Sequence, residues 1–162
     1  MQVPNQKGES LNRHLLQGRD LTNSLMGVLH QFRKEPEAFI CDIEGMFHRV
    51  NVNYEHRNLL SFLWWEQGNI EWSLVEYRMT VHLFGAVSSS GCTNFVLKTT
   101  ADDFEGECGN EAGDFVRHDF YVDNGLKSVP TMEQAINLIE NTKTLCKKGG
   151  FNLHKLSQIK EK

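Results

Sequence analysis

Leu21, Leu25, Val28, Leu29 and Phe32 recur at helical spacing, which gives an N-terminal helix one apolar face. Asp20 stands where an N-cap belongs, and Pro36 ends the helix at or before Glu35. Ahead of it, residues 1–19 are polar and include Pro4, Gly8 and Gly18, which read as an extended lead-in. Ala38 to Ile43 is a short β-prone run containing Asp42, and Glu44-Gly45-Met46-Phe47 then turns the chain.

The pattern next changes period. Leu59 to Trp65 is apolar and bulky, Gln67-Gly68-Asn69 makes a turn, and Val75, Tyr77, Met79 and Val81 alternate with polar residues. That period of two predicts a half-buried strand and, with the preceding run, a hairpin insertion. Leu83-Phe84-Gly85-Ala86 reads as a bend. Ser88-Ser89-Ser90 then starts a helix through Phe95, Val96 and Leu97, which the acidic stretch from Asp102 to Asp114 dissolves into a loop.

A second β-prone run, Phe120-Tyr121-Val122, ends on Asp123 and meets Asn124-Gly125 before Leu126 to Val129. Asn-Gly between two such runs predicts a tight hairpin, with Asp123 on its lip. Thr131 and Gln134 form a capping box for a helix whose apolar face carries Ala135, Ile136, Leu138, Ile139, Leu145 and Cys146. Gly149 suits its C-terminus, and Phe151-Asn152-Leu153 is a last short strand.

Without the first helix and the insertion, the order is strand, helix, strand, hairpin, strand, helix, strand. This is the α+β, ferredoxin-like βαββαβ arrangement. The right-handed crossover makes its first two strands parallel, with the third antiparallel between them. Asp42 and Asp123 therefore meet at one sheet edge, although they are far apart in sequence. Two carboxylates without a nearby cation favour a pair of Mg²⁺ ions; singly, each aspartate is equally at home ending a strand or opening a turn.

Composition narrows the class. The 162 residues suit one domain, 40% are hydrophobic, and 17 Lys+Arg against 21 Asp+Glu give a net charge of −4, which excludes a polybasic nucleic-acid binder. Acids cluster from Asp102 to Asp114 and lysines from Lys143 to Lys162; both runs read as solvated faces. Cys41, Cys92, Cys108 and Cys146 form no C-x-x-C pair and the histidines no H-x₃-H pair, so a zinc site is not expected. Dispersed thiols, no secretory leader and no membrane-length apolar run lead to an expected soluble, intracellular protein, cytoplasmic or nuclear.

Phe120-Tyr121-Val122-Asp123-Asn124 resembles the Tyr-x-Asp-Asp box of reverse transcriptases. Asp42-Ile43-Glu44-Gly45-Met46-Phe47 is similar to their first acidic motif, Leu83 to Ser89 to their glycine motif with leucine in place of proline, and Lys148 to Lys155 to their closing palm motif. The phrases Leu15 to Asn23 and Glu76 to Gly85 most resemble LTR retrotransposons of the BEL/Pao type. The resemblance implies a single polymerase palm with partial fingers: about 1–35 a finger-side lead-in and helix, 36–155 palm and 156–162 tail. It implies RNA-templated DNA synthesis on a template-primer with deoxynucleotides, and two Mg²⁺ ions held by Asp42, Asp123 and the carbonyl of Ile43. Asp42 and Asp123 would be catalytic, Phe47 would select against a 2′-hydroxyl, and Phe84 and Gly85 would lie under the nucleotide. Lys155 would meet phosphate. Asn124 stands where the family has its second aspartate, and most of the fingers and the thumb are missing, so the chain is expected to be inactive in isolation, with other parts of a polyprotein as partners. A non-catalytic βαββαβ module binding nucleic acid or protein, or a decayed remnant, remains an open alternative.

Overall fold

A computed structural model describes residues 9–159. Pro4, Gly8 and residues 160–162 lie outside the described residues. The elements run α1 (Leu25–Phe32), β1 (Glu37–Ile43), β2 (Ser61–Trp65), β3 (Leu74–Arg78), α2 (Ser89–Cys108), α3 (Asn110–His118), β4 (Phe120–Tyr121), β5 (Asn124–Val129), α4 (Met132–Lys148) and β6 (Leu153–Ile159). Short 3₁₀ turns fill several of the gaps, among them Met46–Arg49 after β1.

Four strands form an open sheet in the order β4-β5-β1-β6. Every neighbouring pair is antiparallel, so β1 and β4 run the same way with β5 between them. Along β1 the side chains alternate: Phe39, Cys41 and Ile43 are buried, while Ala38, Ile40 and Asp42 are half-buried. The buried set meets Leu97, Ala101, Phe115, Val116, Phe120, Leu138, Leu145 and Phe151 in one core. Phe115 is its hub, with its ring 5.5 Å from Phe39 and 5.1 Å from Phe120. The two carboxylate-bearing ends are thus carried on a sheet with one well-packed face.

Several expectations change. The helix α1 begins at Leu25, capped by Ser24, whose hydroxyl accepts from the Gly27 amide; Asp20 instead accepts from the Thr22 amide at 2.9 Å in a local turn. The acidic stretch is helical. Acids at the end of α2 oppose the helix dipole, but Arg117 of α3 ties Asp102, Glu105 and Asp114 together, and Lys148 of α4 pairs with Glu107 at 2.7 Å. Gly109, at φ 91°, separates α2 from α3.

The turn between β4 and β5 is not Asn-Gly. Tyr121 pairs with Asn124 and Phe120 with Gly125, so Val122 and Asp123 form the turn, Val122 at φ 56°. Gly125 is a strand residue, and it is glycine because a Cβ there would lie 2.6 Å from the Phe120 ring and 2.8 Å from Cys41 Sγ. At the end of α4 the left-handed residue is Gly150, not Gly149: its amide reaches the Lys147 carbonyl and the Phe151 amide reaches that of Cys146. Gly149 is small because Thr100 occupies the space a side chain would need.

The expected tail also gives way to structure, since residues 156–159 belong to β6. The insertion forms as a hairpin, with Ser61 opposite Arg78 and Trp65 opposite Leu74, but β3 stops at Arg78. It is less buried than expected: Trp65 and Val75 are the most covered side chains of its strands, and the others are largely exposed.

Candidate functional site

Asp42 is the penultimate residue of β1 and Asp123 the last turn residue before β5. Asp42 is registered opposite Asn124, and the Ile43 amide donates to the Asp123 carbonyl at 2.8 Å. The two aspartates are therefore neighbours across one sheet edge. Asp42 is opposite His154 on its other side, so Asn124, Asp42 and His154 stand in one row across three strands.

His154 Nδ1 lies 3.1 Å from Asp42 Oδ1. A carboxylate only accepts, so Nδ1 donates. Asn124 Nδ2 donates to Asp123 Oδ1 at 2.7 Å. Among the described residues neither aspartate is paired with a lysine or arginine, and the second oxygen of each accepts no hydrogen bond. Ile43 itself is buried, so only its backbone can serve the edge. Glu44 turns away: Arg49 binds its carboxylate at 2.6 Å and Asn152 at 2.9 Å, and the Asn152 bond chiefly lowers its pKa. No group of three or more His, Cys, Asp and Glu among the described residues is arranged to hold a metal, so an ion here would depend on two carboxylates completed by backbone and water oxygen.

Phe47 is half-buried outside the main core, and its ring meets Phe84 edge-on at 5.8 Å. Phe84 is 86% exposed. Gly85 adopts φ 91°, a conformation that favours glycine, and nothing lies within 4 Å of where its Cβ would be. Lys155 is exposed at φ 51°. No contact joins it to either aspartate.

The residues that hold this site together carried no signal in the sequence pattern. Asn12 donates to the Gly85 carbonyl at 2.8 Å and accepts from the Val87 amide at 3.0 Å, which clamps the Phe84-Gly85 bend. Asn23 donates to the Arg117 and Phe120 carbonyls and accepts from Lys98 at 3.1 Å, which ties the lead-in to the start of β4. Asp119, 1% exposed, accepts from Lys127 at 2.5 Å and links the hairpin strands. His154 sits beside Lys155 in the closing motif, yet the resemblance singles out only Lys155. Beside the Val122-Asp123 turn is an open cleft of about 510 Å³, lined by Arg19, Asn23, Ser90, Gly91 and Tyr121 among others.

No protein-family model and no curated protein matches the chain. Solved structures do. The foamy viral protease-reverse transcriptase in complex with an RNA/DNA hybrid is similar over 86% of this chain and 17% of its own, at 15% identity and a TM-score of 0.61. The fold is reverse-transcriptase-like. The prototype foamy virus protease-reverse transcriptase CSH mutant is similar over 94% of this chain and 19% of its own, at 17% identity and a TM-score of 0.64. The chain thus spans less than a fifth of the length of these neighbours. No helix among the described residues is long and apolar enough to cross a membrane.

Proposed function

We propose that the chain is the palm portion of a reverse transcriptase-like polymerase, of BEL/Pao-type retrotransposon origin, built on the ferredoxin-like βαββαβ plan. The strand order β6-β1-β5-β4, with the helices carrying the crossovers, supports the plan. The BEL/Pao origin rests on the phrases Leu15 to Asn23 and Glu76 to Gly85. One observation carries the functional reading: the Ile43 amide bonded to the Asp123 carbonyl, beside the Asp42–Asn124 register pair, which sets two aspartates at one edge.

The chemistry is attack of a primer 3′-oxygen on the α-phosphorus of a deoxynucleotide, with pyrophosphate leaving. Asp42, Asp123 and the Ile43 carbonyl would hold Mg²⁺, which in such sites neutralises charge on the attacking and leaving oxygens. The donor set suits it: hard oxygens, one open on each aspartate, with no lysine or arginine competing. Phe47 and Phe84 offer apolar walls for the nucleotide sugar and base, and Gly85 lets the backbone approach closely. The cleft lined by Arg19 and Tyr121 offers a polar channel for the RNA/DNA template-primer.

Asn124 weakens this site twice. It removes one negative charge, and its amide occupies one oxygen of Asp123. That favours the second reading, a βαββαβ module that binds nucleic acid or protein without catalysis. Primer extension separates the two. The isolated chain and its Asn124→Asp variant should not extend a primer, because positioning alone supplies ~7–11 kcal/mol in such reactions. The Asn124→Asp chain joined to complete fingers and thumb should extend it, and Asp42→Asn should abolish this. No extension by the completed enzyme would favour the binding module.

A further inference from the structure

β6 carries a register defect. Ile40 pairs with Ser157 and Phe39 with Gln158, but two residues on from Ile40, Asp42 pairs with His154. Had the first register continued, Asp42 would face Lys155. The bulge that prevents this falls at Lys155, which adopts φ 51°, a left-handed conformation that a non-glycine residue enters only at a cost. Strain of this kind persists where the surrounding structure requires it, and bulges re-aim side chains. Its effect here is specific: a lysine leaves the row and a histidine enters it.

The two alternatives differ in charge. A lysine opposite Asp42 would hold a permanent ammonium against the carboxylate and compete with any cation there. His154 instead supplies one Nδ1–H to Oδ1, at 3.1 Å, from a ring that carries no permanent charge, and leaves Oδ2 open. Both side chains are partly sheltered, at 35% and 23% exposure, which strengthens a hydrogen bond relative to open solvent. We infer that His154 is a positioning residue for Asp42, placed there by the Lys155 bulge, which orients the carboxylate while keeping a fixed positive charge away from it. This rests on the reading of Asp42 as a metal ligand.

Mn²⁺ binding to the full chain, followed by electron paramagnetic resonance, tests it with three substitutions. His154→Asn keeps a neutral donor and should bind as wild type does. His154→Ala removes the donor and should weaken binding about tenfold, the lower end of the usual effect of removing a residue that orients a metal ligand. His154→Lys should weaken it further. Wild-type protein that binds no Mn²⁺ overturns the metal reading of Asp42 and this inference with it. Wild-type binding that all three variants retain overturns the inference alone, and loss in all three, with unchanged melting, makes the imidazole itself a ligand and also overturns it. Ring ¹⁵N shifts of His154 provide a check that needs no variant: the Nδ1-protonated tautomer is expected, and the Nε2-protonated form would contradict the role.

Discussion

The four-stranded sheet and the β2–β3 hairpin are built from similarly apolar strands and reach opposite ends. In β1 every second side chain is buried beneath helices, and Phe115 and Cys41 are fully enclosed. In the hairpin, Phe62, Leu63, Trp64, Leu74 and Tyr77 are between 38% and 64% exposed, held by cross-strand contacts such as the stacked Phe62 and Tyr77 rings. An apolar alternation therefore states which residues can be buried, and the rest of the fold decides whether they are. The carboxylates sit on the region whose burial the chain completes by itself.

The largest expected contrast is energetic. Phe115→Ala should cost ~3–5 kcal/mol by opening a cavity among Phe39 and Phe120, whereas Trp64→Ala, half-exposed, should cost under ~1 kcal/mol. Urea denaturation measures both, and equal costs would erase the distinction between the regions.

Alkaline pH should sharpen it. Burial pushes the Cys41 and Cys146 thiols from 9.0 up to about 12. The unfolded chain loses these protons first, so their contribution is whole below pH 9 and is lost as pH rises from 9 towards 12, by ~2–3 kcal/mol per thiol at pH 11. The hairpin strands hold no cysteine. Denaturation midpoints should fall across this range, and Cys41→Ala should flatten part of the slope; an unchanged slope would contradict the burial assignment.

Gly125→Ala tests the close approach on the sheet side. Its Cβ would meet the Phe120 ring at 2.6 Å, an overpacking worth ~1–3 kcal/mol. A neutral substitution would mean that Asn-Gly is a turn signal after all. The smallest effect should be at Lys155, where Lys155→Gly relieves left-handed strain; a rise of ~2–4 °C in melting temperature per kcal/mol recovered is expected. A fall would show that the bulge is unstrained.

What was legible in the sequence is what local periodicity can carry. The stripe of α1, the strand ending near Asp42, the hairpin insertion and the Thr131 cap all rest on neighbours within a few residues, and Thr131 does accept from the Gln134 amide. The placement of Asp42 and Asp123 on neighbouring strand ends followed from crossover handedness, a rule about whole units. The misses have a different origin. Asn-Gly misplaced the turn because Gly125 answers to Phe120 and Cys41, which are contacts through space. The acidic stretch runs through two helices because Arg117 and Lys148, which lie beyond it in the sequence, pair with its carboxylates. His154 escaped notice because a bulge in β6 decides which residue faces Asp42.

The central claim is that Asp42 and Asp123 form one cation site at the sheet edge. A crystal soaked in Mn²⁺, with diffraction recorded at a wavelength where manganese scatters anomalously, tests it most directly. The account expects an anomalous peak between the two carboxylates, lost on Asp42→Asn. A peak only at the Asp102, Glu105 and Asp114 cluster, or none at the edge, would contradict it.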